Sequence, residues 1–266
     1  MPDVTVRPLD SLADFHRCVQ IAREVWGDCE LDIEPYLTFV VALHTGGQVL
    51  GAFDGNILVG FTKAFVGLHN QTPYLHSHMT AVLPSHRDRG IGRQLKLFQR
   101  EDALRRGIRL IEWTFDPLET KNAYFNINRL GGITRRYISN FYGITSSPLH
   151  RGLPTDRLLV EWHLDSRRVV AAVNDLSPET RDSPAHVHLP APARAGQCGR
   201  AGKGAQPEGG ETAAAPAEAT CSSQLIEIQS RLRSELTTWF SKGYAVNGVR
   251  SALSGIDYCL APYSDF

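Results

Sequence analysis

Little in this chain suggests an extracellular or membrane-bound protein. Cysteine is scarce. The five residues, Cys18, Cys29, Cys198, Cys221 and Cys259, are scattered, odd in number and never spaced as C-x-x-C. That argues against a disulfide framework and against a structural zinc site. No apolar run is long enough to span a bilayer. The opening Met1-Pro2-Asp3-Val4-Thr5 lacks the basic start and apolar core of a signal peptide. Formal net charge is zero, with 28 basic and 28 acidic residues. No overall field therefore draws the chain to nucleic acid or to an anionic membrane. What remains is an ordinary globular composition, 42% hydrophobic and 21% charged, able to bury a core. A cytoplasmic protein with a small-molecule ligand is expected.

The periodicity changes along the chain. Val4 to Arg7 alternates as a short strand, and Leu12, Phe15, Val19, Ala22 and Trp26 then keep helical spacing behind a Ser11 N-cap. A second helix is expected over about Pro35 to Leu43. Gln48 to Phe53 and Ile57 to Val66 read as strands joined by Asp54-Gly55-Asn56, a strong hairpin signal. A strand over Tyr74 to Leu83 and a helix over Gly90 to Arg106 follow. Beyond them lie a strand over Ile108 to Phe115, a helix over Asn122 to Leu130, and strands near Ile133 to Tyr142 and Leu158 to Leu164. From about Ser177 to Ser223 the chain is rich in Ala, Gly, Pro and Glu, without period, and reads as a disordered insert. Leu225, Ile228, Leu232, Leu236 and Trp239 return to helical spacing ahead of two short strands. The expected organisation is a main domain over 1–168, a linker over 169–223, and a helix with strands over 224–266 packed back on the main domain.

The sharpest local feature is Val82-Leu83-Pro84-Ser85-His86-Arg87-Asp88-Arg89-Gly90-Ile91-Gly92-Arg93, where a strand ends and a helix begins at glycines. The amides of a helix N-terminus carry about half a positive charge and suit an anion. Glycines let the backbone approach a pyrophosphate, and Arg87, Arg89 and Arg93 add positive charge. Neither a P-loop nor a G-x-G-x-x-G dinucleotide motif is present. On the glycines alone, a plain helix start is an equal reading.

Arg87-x-x-Gly90-x-Gly92 after an apolar strand resembles motif A of the GCN5-related N-acetyltransferases (GNAT), and the order of elements over Val4 to Leu164 is similar to theirs. The resemblance implies an α/β (α+β) fold with a central mixed, mostly antiparallel sheet flanked by helices. It implies acetyl-CoA or another acyl-CoA as co-substrate, its pyrophosphate held by the amides from Asp88, Arg89, Gly90, Ile91 and Gly92 to Arg93. It also implies an oxyanion donor at the backbone of Val82 and a pantetheine contact at Asn122. The runs Trp113 to Leu118, Asn122 to Asn126, Leu130-Gly131 and Gly152 to Arg157 resemble a bacterial branch of acyltransferases, some of them linked to N-succinylation of amino acids.

Acyl transfer to an amine needs a base, an oxyanion donor and, for the thiolate, an acid. His76 and His78 sit at i and i+2 on one strand and so face one side. His76 falls where some GNAT proteins carry a glutamate base, so it is the first candidate, with His78 as partner or second choice. Two structural histidines, or a metal-binding pair, are the other readings of the H-x-H. The family's tyrosine acid on the fourth helix is replaced by Ile127, which leaves Tyr124, Asn126 and Asn128 as candidate donors. Glu112 and Asp116 are alternative bases. Arg135, Arg136 and Arg157 could bind a substrate carboxylate, and Cys29 is a possible nucleophile. The expected activity is acetyl or succinyl transfer to a small primary amine, with an acyl-CoA sensor as the alternative and the oligomeric state, homodimer included, left open.

Overall fold

The computed structural model describes residues 4–27, 32–176, 183–190 and 216–265, apart from the side chains of residues 216–222 and 265. β1 (Val4–Pro8) leads to α1 (Leu12–Trp26) and α2 (Leu37–His44). β2 (Gln48–Asp54), β3 (Ile57–His69) and β4 (Thr72–Val82) follow, then α3 (Ile91–Arg105), β5 (Leu110–Phe115) and α4 (Thr120–Tyr124). The second half holds β6 (Ile133–Ile138), β7 (Arg157–His163), α5 (Arg167–Val173), β8 (Ala185–Pro190), α6 (Pro216–Ser241), β9 (Tyr244–Ala252) and β10 (Gly255–Pro262). Local chemistry explains several boundaries. The Ser11 side chain accepts from Asp14 N–H at 3.1 Å and caps α1. Gly55 supplies the positive φ of the β2–β3 turn.

The strands form a single sheet in the order β1-β2-β3-β4-β5-β7-β6-β9-β10-β8. β4 and β5 pair in parallel, and the other pairings are antiparallel. The mixed, mostly antiparallel sheet flanked by helices agrees with the sequence reading. α1 and α2 cover one face of the first half, where Phe15 stacks near Phe39 and Phe39 meets Phe61. On the other face, Ile111, Trp113, Val160 and Trp162 share a core with Ala103 of α3, Ala123 of α4 and Leu130. The Trp113 and Trp162 rings meet edge to face at 5.7 Å.

The stretch expected to be a linker contains ordered elements. Residues 177–182 and 191–215 lie outside the described residues, but most of α5, all of β8 and the first turns of α6 fall within 169–223. In β8, Ala185, Val187 and Leu189 alternate inward, a period too short to stand out against its composition. In α5, Ser166 caps Val169 N–H while Val169 and Ala172 are buried. β9 joins β6 through Thr134 and Val246, and Leu232 and Leu236 of α6 enter the Trp162 core.

α4 runs into a π-helical turn over Phe125–Arg129. The Asn128 amide staples that turn to β9, donating to the Val249 carbonyl and accepting from its N–H, both at 2.9 Å. Asn128→Ala leaves both backbone groups of buried Val249 without these partners. A loss of roughly 2 kcal/mol is expected in urea denaturation.

Candidate active site

The β4–β5 ladder consists of Leu75 with Ile111 and His76 with Glu112. Beyond these pairs the strands run on without each other, β4 to Val82 and β5 to Phe115, and a slot opens between them. A bulge in β4 sets Met79 against Lys63 and Ser77 against Ala64, leaving His78 as the extra residue where the slot begins. Leu83 N–H bonds the Val59 carbonyl at 2.9 Å. By antiparallel alternation Ala81 also bonds β3, while the N–H groups of Thr80 and Val82 point away from β3, toward the slot.

Past the mouth of the slot the chain makes a 3-10 turn over Pro84–His86. Asp88 (φ 60) and Gly90 (φ 78) then take left-handed conformations that start α3. No side chain caps this helix, and its first backbone bond is Gln94 N–H to the Gly90 carbonyl at 3.0 Å. The preceding amides are left for a ligand. A Cβ at Gly90 or Gly92 would meet nothing within 4 Å. The backbone at these glycines is uncovered, as close approach of a pyrophosphate would require. The arginines are less available than expected. Arg89 lies 3.7 Å from Asp54, and Arg93 bonds the Val173 carbonyl at 2.7 Å and Asp175 at 3.2 Å. Arg87 Nε reaches the Val82 carbonyl at 3.3 Å.

His76 and His78 share a face, their ring centroids 6.2 Å apart, but their surroundings differ. His76 is half-buried, and burial, then the charges of His78 and Lys96, push its pKa down to about 4. His78 Nε2 lies 3.4 Å from Glu34 Oε2, an oxygen that is buried and lacks a well-formed hydrogen bond. That separation is an ion-pair distance, and we read the contact as an electrostatic one. Glu34 also meets Lys63 Nζ, which is fully buried, bonds Thr38 Oγ1 at 2.9 Å and lies 4.4 Å from the centre of the Phe39 ring. Burial raises the Glu34 pKa, yet the interactions with His78 and Lys63 outweigh it and hold the carboxyl at about 2. For Lys63, burial outweighs the Glu34 bond and its pKa is lowered. Sequence reading missed Glu34 and Lys63, because nothing in their spacing joins the α1–α2 connection to β3 and β4.

The remaining candidates separate cleanly. Glu112 is buried and bonds His69 at 3.1 Å and Arg136 at 3.4 Å. Arg135 bonds both oxygens of buried Glu161, at 3.0 and 3.2 Å. Arg135 and Arg136 thus neutralise buried carboxylates. Arg157, 7% exposed, bonds His150 Nε2 at 2.8 Å and lies 3.9 Å from Asp116. Asn122 and Tyr124 are exposed on α4, Asn126 accepts from Trp113 Nε1 at 3.2 Å, and Ile127 is fully buried. Cys29 lies outside the described residues.

The family model described as Acetyltransferase (GNAT) family matches residues 11–125. Residues 11–125 thus carry a GNAT acetyltransferase domain. The co-substrate of that family is acyl-CoA. Several solved structures share the fold at low identity. The ribosomal-protein-S18-alanine N-acetyltransferase of Escherichia coli matches at 15% identity and TM-score 0.50, over 62% of this chain and 96% of that one. The protein yncA of Salmonella typhimurium, solved with its cofactor acetyl-CoA, matches at 17% and 0.51, over 62% and 96%. NAA60 of Arabidopsis thaliana in complex with acetyl-CoA matches at 16% and 0.50, over 60% and 99%. No curated protein sequence matches the chain at a significant level. Among the described residues no helix is long and apolar enough to cross a membrane.

Gly92 has no positive φ, so Gly92→Val suits the backbone and should hold stability within about 1 kcal/mol. Its side chain would fill the cradle, and calorimetry should find coenzyme A affinity reduced at least about tenfold. Glu34 gives a second test. Because its folded pKa lies below the ordinary 4.5, its contribution is present above pH 4.5 and is lost as pH falls through about 2. Glu34→Gln also strands buried Lys63, so it should cost about 3 kcal/mol at neutral pH. The gap from the parent should narrow as denaturation is repeated in acid.

Proposed function

We propose that this protein transfers an acyl group from acyl-coenzyme A to a small primary amine, with His78 as the general base and Glu34 as its positioning residue. The observation that carries the reading is the His78–Glu34 pair at the bulge where β4 leaves β5. A carboxylate beside an imidazole orients the ring toward its substrate. His78 thereby takes precedence over His76, whose depressed pKa makes it a weak proton acceptor at neutral pH. The amides of residues 88–93 would hold the pyrophosphate. A backbone N–H of Thr80 or Val82 would face the carbonyl oxygen as negative charge develops on it. His78 would take the proton of the attacking amine, directly or through water.

The small acceptor is inferred from the loop over residues 139–156. It folds onto the α1–α2 connection, where Ser146 N–H bonds Asp32 at 2.9 Å and Ser147 Oγ bonds the Trp26 carbonyl at 2.8 Å. Pro148 packs near Gly27. This tie to the connection that carries Glu34 favours a compact amine over a long polypeptide. Of the three arginines Arg135, Arg136 and Arg157, Arg157 has the longest carboxylate contact, 3.9 Å to Asp116, and is the candidate to meet an acceptor carboxylate. We place the reaction in the cytoplasm, a compartment that supplies acyl-coenzyme A.

The test is thiol release from acetyl- or succinyl-coenzyme A over a panel of small amines, amino acids and short peptides. Release with a small amine supports the reading. Release with peptides alone would move the acceptor to protein. Coenzyme A binding without release from any of them would favour a sensor. With the active amine in hand, His78→Ala should lower kcat by about 100-fold or more while coenzyme A binding stays intact. His76→Ala should cost less.

A further inference from the structure

On the opposite face of the same slot, the fold buries a lysine that the reading above does not use. Lys96 of α3 is 3% exposed. Its Nζ lies 2.7 Å from Ser77 Oγ, 3.1 Å from Gln99 Oε1 and 4.0 Å from the centre of the Trp113 ring. Among the described residues no carboxylate meets it. Asp102, further along α3, is engaged by Gln48, Arg105 and Arg106. Of the titratable groups, His76 on the far face of β4 feels its charge. A buried ammonium without a counter-ion is costly, and loss of water pushes its pKa down to about 7. An amine in that range can give up a proton at neutral pH.

Its position is as telling as its burial. Ser77 follows His76, the last residue of β4 paired with β5, and Trp113 follows Glu112, the last residue of β5 paired with β4. The contacts of Lys96 therefore straddle the apex of the slot, across the sheet from His78. Breaking a thioester leaves a thiolate that accepts a proton, and the position after α4 expected to supply a hydroxyl is Ile127, in the π-helical turn, fully buried and with no proton to give.

We propose that Lys96, acting through the Ser77 hydroxyl, supplies the proton that the coenzyme A sulfur takes up as the thioester breaks. This rests on the acyl-transfer reading above. The amine nitrogen bonds to the acyl carbon, and the carbon–sulfur bond breaks with its electron pair left on sulfur. Ser77 Oγ gives its proton to that sulfur and takes one from Lys96 Nζ. Lys96 is left as a neutral amine, which regains a proton from solvent, while His78 holds the proton taken from the attacking amine. Base and proton source thus stand on opposite faces of one sheet.

The experiment compares Lys96→Met and Ser77→Ala with the parent, using coenzyme A and acetyl-coenzyme A as probes. Calorimetry measures coenzyme A binding, ultraviolet absorbance of the thiolate follows titration of the bound sulfur, and steady-state rates follow turnover. Lys96→Met removes an unpaired buried cation, so it is expected to melt above the parent, and low activity cannot then be laid to unfolding. Both variants are expected to bind coenzyme A as the parent does. In Lys96→Met the bound sulfur should titrate about one unit higher, having lost a neighbouring positive charge. Each variant should lose about 100-fold in kcat with little change in KM for the thioester. Parental turnover in both variants with an unmoved sulfur titration would make Lys96 a packing residue and overturn the proposal. Failure of the parent itself to bind coenzyme A is a separate result, and it would overturn the acyl-transfer reading instead.

Discussion

The ladder between β4 and β5, Leu75 with Ile111 and His76 with Glu112, sets the place of every functional group described above. It joins the half of the sheet under α1 and α2 to the half that holds the Trp162 core. A parallel pair requires a crossover, which α3 provides, so the helix that begins at the phosphate loop necessarily lies beside the slot. Extending the ladder would consume the outward amides of Thr80 and Val82 in strand pairing. Removing it would part the two cores. The short ladder holds the halves together and leaves backbone donors unspent at the point where a thioester needs them.

Because side chains alternate across a strand, the residues just past the last pair go to opposite faces. The fold compensates their buried neighbours differently. On one face Lys63 and Glu34 answer each other's charge, and His78 stands against a carboxylate oxygen that has no other close donor. On the other face Lys96 has a hydroxyl, an amide oxygen and an indole ring, but no counter-ion. Paired burial holds a carboxyl ionised, and unpaired burial makes an ammonium ready to lose its proton. Environments that push titratable groups in different directions are how a site comes to hold an acid and a base at one pH.

What could be read from the sequence was local. The hairpin at Asp54-Gly55-Asn56, the cap at Ser11 and the glycine loop each declare themselves within a few residues, and the order of elements carried the superfamily resemblance. The site was legible only where it lay on one strand or loop. The His76–His78 pair was visible, but not which of the two has a carboxylate beside it, because Glu34 comes from a connection far away in sequence. Lys96 stands next to Leu95 in a helix rich in polar residues, and only the packing of α3 against Ser77 and Trp113 reveals its burial. Arg135 and Arg136 looked like substrate contacts because Glu112 and Glu161, their partners, arrive from other strands. β8 was hidden by composition. Its alternation is brief, and the residues around it lack large apolar side chains.

β8 has a further consequence for how the chain is made. It pairs with β10 alone, and β10 follows it only after α6 and β9. During synthesis Val187 and Leu189 must therefore wait, with no strand beside them, until β10 has left the ribosome. The earlier strands can meet their neighbours well before that. The last-closing part of the sheet is consequently the part most exposed to wrong pairing, and a nascent chain stalled ahead of β10 would carry the glycine loop and the slot, yet still present an unfinished, adhesive border to the cell.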